Sequence, residues 1–202
     1  MKKSEITRDK ILKAAEEAFS QKGLYGARVD EISADAEINK RMIYEHFGSK
    51  ENLYISTLEM VYARMSEKEK ELIARELNPI EAIKSVISHY FSFLSANNSF
   101  VKMVMWENIN EAKCLKQSSA GSMKGTAMDI MKKKIEQGIK EGTFKPDLDI
   151  TKVVVCINMF CFSCFSNIYT MAHIMKSDFT DSESLRQYKQ IVTDMIINYL
   201  KK

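Results

Sequence analysis

The stretch INKRMIYEHFGSKENL, residues 38–53, decides how the chain is read. Asn39 carries the short acceptor side chain that caps a helix N-terminus. Lys40 to Phe47 then reads as one short helix, ended by Gly48-Ser49. Ile43 and Phe47 are four apart and share its inner face, which leaves Lys40, Arg41, Tyr44 and His46 for the outer one. Between Ile38 and Lys50 the basic residues are Lys40, Arg41 and Lys50, and the only acid is Glu45. A short helix with an apolar back and a basic front is a shape and charge that the major groove of DNA admits.

Working toward the N-terminus, the break Glu37-Ile38-Asn39 separates this helix from another short one, Val29 to Ala36, with Val29, Ile32 and Ala36 facing inward. A longer helix precedes both, from about Ile6 to Lys22, with Thr7 as its cap. Its apolar stripe is Ile11, Ala14, Ala15, Ala18 and Phe19, and Gly23 stops it. Two short helices across a tight break form a helix-turn-helix pattern.

Working toward the C-terminus, Ser49 caps a long helix that begins at Lys50 and buries Leu53, Leu58, Val61 and Met65. Asn78-Pro79 starts an amphipathic helix running through Leu94. A shorter helix follows, Ser99 to about Glu111, then a loop-like stretch from Gln117 to Ser122. Met123 to Glu141 reads as helix, closed by Gly142. Asp149 or Thr151 starts the very apolar helix that runs to about Met175, and Ser182 to Leu200 forms the last helix. The expected fold is all-α: a helix-turn-helix domain over residues 1–49, and a larger helical ligand-binding and dimerisation bundle over residues 50–202. With seven Gly and two Pro, the chain has too few turn residues for a many-stranded sheet fold.

The net charge of +3 settles nothing about nucleic acid. No apolar run follows the charged segment Met1 to Lys10, so the expected location is the cytoplasm. The longest apolar run, Val153 to Phe165, is shorter than the roughly 17–25 residues of a membrane span, so no membrane partner is expected. Cys114, Cys156, Cys161 and Cys164 fit buried, reduced thiols. Cys161 and Cys164 share a helix face, yet no second pair supports a metal, and neither metal nor cofactor is expected. His46, His89 and His173 lie on different helices, without a nucleophile triad, paired carboxylates or a phosphate-cradling glycine loop, which argues against an enzyme.

Three segments together carry a family resemblance: Gly23-Leu24-Tyr25, Val29-Asp30-Glu31-Ile32, and residues 38–53. They resemble the signature of TetR/AcrR-family transcriptional regulators, most specifically in the run Ile43-Tyr44-x-His46-Phe47-x-Ser49-Lys50-Glu51-x-Leu53. The resemblance implies that Tyr44 and Lys50 bind phosphates and that Lys40, Arg41 and Met42 meet base edges. It places His46 near the DNA backbone and puts Asn39 in the same interface. Arg28 stands where the family usually has Thr or Ser; it can hold a phosphate by charge but cannot cap. Glu37 stands where the family often has Gly, and a left-handed backbone there costs roughly 1 kcal/mol or more.

The implied function is a ligand-responsive regulator, a repressor, bound to a palindromic operator in double-stranded DNA. The implied homodimer pairs through the last two helices, which are also too apolar to leave a face open to water. Phe91, Met103, Trp106, Met128, Met131, Phe160 and Phe165 read either as plain core or as an adaptable pocket for an apolar or amphipathic small-molecule effector. Two rival readings are a redox or metal sensor on the same scaffold, and a helical small-molecule-binding protein that does not bind DNA.

Overall fold

Side-chain caps account for five of the helix starts in the computed structural model, which describes residues 3–73, 76–122 and 127–202. The helices are α1 (Lys3–Gly26), α2 (Val29–Asp35), α3 (Lys40–Phe47), α4 (Lys50–Ile73), α5 (Pro79–Ala96), α6 (Asn98–Ile109), α7 (Ala127–Lys140), α8 (Ile150–Ser166), α9 (Ile168–Met175) and α10 (Ser182–Leu200). Asn39 accepts from the Arg41 amide at 2.8 Å, Ser49 from Asn52 at 3.0 Å and Asn78 from Glu81 at 3.0 Å. Asp149 accepts from Lys152 at 3.1 Å, and Asp181 from Glu183 and Ser184 at 2.9 Å each. Each acceptor satisfies an amide that a helix start would otherwise leave unpaired.

The structure corrects four sequence expectations. Helix α1 starts at Lys3, so Thr7 lies inside it and does not cap it. Gly23 does break α1, at φ 66° and ψ 179°, but one more helical turn follows to Gly26. The stretch 117–122 is not open loop: 3-10 turns at Leu115–Gln117 and Ser119–Ser122 occupy it, and the Glu59 carboxylate accepts from the Ser119 amide and hydroxyl at 2.8 Å each. The long apolar helix is two helices, α8 and α9, bent by 66° at Asn167. Met123, where the preceding helix was expected to start, lies outside the described residues. No single helix among the described residues is long and apolar enough to cross a membrane.

The chain folds as two compact units. The first takes in residues 1–64 with 98–123, and the second residues 65–97 with 124–202. The first unit therefore holds the expected segment 1–49 together with the opening turns of α4 and the whole of α6. The reason is burial: Leu53, Leu58 and Val61 of α4 and Met103 of α6 are fully covered, and Phe19 meets Tyr54 edge-on with centroids 5.0 Å apart. In the second unit α5, α7, α8 and α10 enclose a core that includes Ile83, Ile87, Met131, Ile135, Val154, Ile157, Ile196 and Leu200.

Candidate nucleic-acid interface

Helix α3 is held by its back. Ile43 and Phe47 are buried, and the Arg8 guanidinium lies 4.7 Å from the Phe47 ring centre. That anchoring fixes the rotation of a helix only two turns long. Lys40, Arg41 and Tyr44 face solvent, while Met42 and His46 are half-buried. Asn39 is exposed, with its oxygen engaged as the helix cap.

The turn before α3 keeps the left-handed geometry that a glycine would adopt. Glu37 sits at φ 54°, and its amide donates to the Ala34 carbonyl at 3.0 Å. The strain expected of a non-glycine residue is therefore present. Arg28 occupies the N-cap position of α2 in extended conformation and makes no side-chain cap bond, so its exposed guanidinium is left to face outward.

The cations of this surface rest on partners of the protein itself. Lys40 Nζ lies 2.7 Å from an Asp30 oxygen, and that hydrogen bond holds its ammonium above the ordinary lysine range. Arg41 Nε pairs with Glu45 Oε1 one helical turn away at 2.8 Å. Lys50 Nζ donates to the Ala27 carbonyl at 2.8 Å, which ties the start of α4 to the connector entering α2. These contacts gather Arg28, Lys40, Arg41 and Lys50 around the α2–α3 pair. The pairs of Lys40 and Arg41 are solvent-exposed and of the kind that exchanges readily for a phosphate.

Behind this surface lie two ties that the sequence reading missed. Glu16 of α1, almost fully buried, receives Arg64 of α4 through both guanidinium nitrogens at 2.9 and 2.6 Å, and also the Ser99 hydroxyl of α6. Burial works against the Glu16 carboxylate, but the bonds from Arg64 and Ser99 and the Arg64 charge outweigh it and hold the group below the usual range. The second tie is Trp106 of α6. Its indole lies against Gly23, where an added Cβ would come within 2.8 Å of the ring, and its Nε1 donates to the Ser20 carbonyl at 3.1 Å.

That placement corrects the expected effector pocket. Met103 and Trp106 belong to the first unit, where Met103 is fully buried and Trp106 packs on Gly23. The other five residues lie in the second unit but do not converge. Phe91 and Met131 are buried in the core and Phe165 meets Phe91 edge-on at 5.5 Å, whereas Met128 and Phe160 are exposed. Residue type marked these positions, and size and softness do not separate a core side chain from a pocket wall. A cavity of about 340 Å³ does open in the second unit, lined instead by residues of α8, α9 and α10 and by Phe179. Among the described residues, no group of three or more His, Cys, Asp or Glu side chains is placed to hold a metal ion.

The chain can now be set beside known proteins. Residues 11–57 match the family profile described as bacterial regulatory proteins, tetR family, and residues 79–196 match that of the tetracyclin repressor-like C-terminal domain. Over 197 residues the chain is 31% identical to the HTH-type transcriptional repressor NicS of Pseudomonas putida, a match covering 97% of this chain and 93% of that one. The putative transcriptional regulator SCO4942 from Streptomyces coelicolor superposes with a TM-score of 0.72 at 22% identity, over 96% of this chain and 98% of its own. The ketosteroid transcriptional regulator KstR2 of Mycobacterium tuberculosis gives 0.70 at 19% identity, over 96% and 95%. At those identities the two solved structures establish the shared fold.

Proposed function

The chain belongs to the TetR family of bacterial regulatory proteins, and from that premise we propose that it is a cytoplasmic repressor that docks α3 into operator DNA as a homodimer and lets go when a small molecule binds. It is a transcriptional regulator and not an enzyme. The observation that carries the docking face is the pairing of a buried back, Ile43 and Phe47, with an exposed front of Lys40, Arg41 and Tyr44 on one capped helix. Arg28 and Lys50 flank that front and are assigned to phosphates, with Tyr44. His46 is assigned to the backbone beside them, and Asn39 to the rim of the contact. Lys40, Arg41 and Met42 are assigned to base edges.

The dimer is assigned to α8 and α10. Val155, Met159 and Phe160 of α8 and Ile191, Met195 and Tyr199 of α10 all stand exposed. Apolar side chains gathered on two packed helices favour a protein partner over water. Twofold pairing of these helices gives a four-helix interface and presents two reading heads to a palindrome. An effector that binds the released state more tightly than the docked one then lowers operator affinity, since equal affinity would shift nothing. Against the oxidant-sensor alternative, burial pushes the Cys161 thiol up to about 12 and raises Cys164 as well, so that pair supplies no reactive thiolate. Cys156, expected to be buried, is instead exposed, and Cys164 is only half-buried.

Selection of bound duplexes from a random pool, followed by titration at several salt concentrations, tests this reading. Tyr44→Ala and Lys50→Ala weaken binding to all sequences alike, and Lys50→Ala lowers the salt slope by about one. A Lys50→Ala variant that binds weakly with an unchanged slope places Lys50 in the scaffold, through its Ala27 bond, and not on a phosphate. Arg41→Ala relaxes base preference at one position. If no duplex is enriched by the wild-type protein at low salt, the reading is wrong.

A further inference from the structure

We propose that the cavity at the α8–α9 break is a binding site for a neutral, flat aromatic molecule that carries one hydrogen-bond donor. The inference rests on the reading above that the chain answers to a small molecule, and it names where and of what kind. The cavity measures about 340 Å³, within the span of small-molecule pockets, roughly 300–1,000 Å³. A fused bicyclic ring fits this volume.

The break makes the cavity. Helix α8 ends at Ser166, the chain turns by 66° at Asn167, and α9 leaves in a new direction. A continuous helix would close the space with its own next turn. Instead Cys164 of α8, Met171 and Met175 of α9, Tyr188 of α10 and Phe179 between those last two helices line a common wall. Phe179 and Tyr188 brace each other edge-on, with ring centres 5.5 Å apart.

The lining selects the ligand by chemistry. No charged side chain lines the cavity. Burial raises the Cys164 thiol, and burial with the nearby Cys164 raises the Tyr188 phenol, so both stay neutral near pH 7. A charged ligand would find no counter-ion on this lining. Three polarisable sulfurs and two aromatic rings favour the face and edge of an aromatic system over an aliphatic chain.

The donor requirement comes from Asn167. It stands at the N-cap position of α9 but makes no capping bond, and its amide nitrogen donates to the Ser166 hydroxyl at 3.3 Å. Asn167 is among the residues that line the cavity, and its carbonyl oxygen has no donor among the described residues. Two other polar lining groups, the Ser163 hydroxyl and the Cys164 thiol, already donate to the Phe160 carbonyl at 3.2 Å. The Asn167 carbonyl is an open acceptor that matches an aromatic N–H or O–H, with the Tyr188 hydroxyl a further polar group of the lining.

The test uses the full chain labelled with carbon-13 at its methionine methyls, titrated with indole and with N-methylindole, which lacks the donor. The Met171 and Met175 methyl signals should shift together with one dissociation constant, while Met103 of the first unit stays in place. Asn167→Ala should weaken indole about tenfold and leave N-methylindole unchanged. Ser163→Trp, placed at the exposed rim of the cavity, should abolish binding of both. Met171 and Met175 signals that do not move at millimolar indole overturn the proposal, and so does an Asn167→Ala variant that weakens the two ligands equally. The titration contains no DNA, and operator retardation by ligand-free protein is measured apart from it. A failure of the cavity and a failure of the regulator reading therefore look different.

Discussion

The first unit and the α8–α10 surface of the second treat water in opposite ways. In the first unit the polar groups are matched to one another: Arg64 to Glu16, Lys40 to Asp30, Lys50 to the Ala27 carbonyl, and the Trp106 N–H to the Ser20 carbonyl. Its large exposed apolar side chains, such as Tyr25 and Ile109, are scattered over different helices. On α8, α9 and α10 the exposed apolar residues crowd together, with Met159, Tyr169, Ile174, Ile191 and Met195 each more than half in water. Scattered apolar residues need no explanation, but a crowd of them marks a surface meant to be covered. The first unit is finished as it stands, with a front that offers charge. The second is finished only when something apolar meets it.

The largest effect expected from this contrast comes from charging the crowded face. Met159→Glu with Met195→Glu alters two side chains that are 64% and 54% exposed, so the fold should survive. The protein should sediment as a monomer, and operator affinity should fall by about a thousandfold as two linked heads become one. A dimer that persists with both glutamates in place would move the interface elsewhere and leave the apolar crowd unexplained.

Within the first unit the tightest dependence is that of Trp106 on Gly23. Gly23→Ala meets two obstacles, a φ of 66° and an indole 2.8 Å from the new methyl. The expected loss is about 2–3 kcal/mol in denaturant unfolding. The two obstacles can be separated. In a Trp106→Ala background the clash is gone and only the backbone strain remains, so Gly23→Ala should then cost about 1 kcal/mol. Equal costs in both backgrounds would mean that the ring does not set the requirement for glycine.

The Glu16–Arg64 tie is weaker because Arg64 keeps over a third of its side chain in water. Glu16→Gln should cost about 1–2 kcal/mol at neutral pH. The carboxyl titrates lower in the folded chain than in the unfolded one, so its contribution is fully present above the ordinary glutamate range, near pH 4.3. It fades as pH falls through the lower folded value. Unfolding curves of wild type and variant should therefore converge on acidification. A gap of constant size would show that the loss is one of packing and not of charge.

How much of this was legible in the sequence depends on the range of the interaction. The bounds of α3 and α10 and the caps Asn39, Ser49, Asn78 and Asp149 were all readable, because each is settled within a few residues. What Trp106 packs against was not legible, because its partner Gly23 is remote in sequence, and periodicity reports that a side chain is buried but not against what. The break at Asn167 was missed for a different reason. It lies in a run without Gly or Pro, and the only local sign is the polar pair Ser166-Asn167 set among apolar residues. The cavity that follows from the break could not be seen without it. The residues chosen for softness and size instead fell into two separate units.

The smallest expected effect tests the other side of the contrast, the finished front. Lys40 rests on Asp30, with 45% and 73% of the two side chains in water. To reach DNA, Lys40 must leave that carboxylate, and the carboxylate itself faces the approaching phosphates with the wrong sign. Asp30→Asn removes both penalties without removing a cation. Because an exposed pair of this kind holds weakly, operator affinity should rise by only about two- to threefold at low salt, and the gain should shrink as salt is added. A variant that binds DNA more weakly than wild type would mean that Asp30 holds Lys40 in the geometry that reads the groove. The pair would then be part of the reading surface, and not a resting place for a cation awaiting its phosphate.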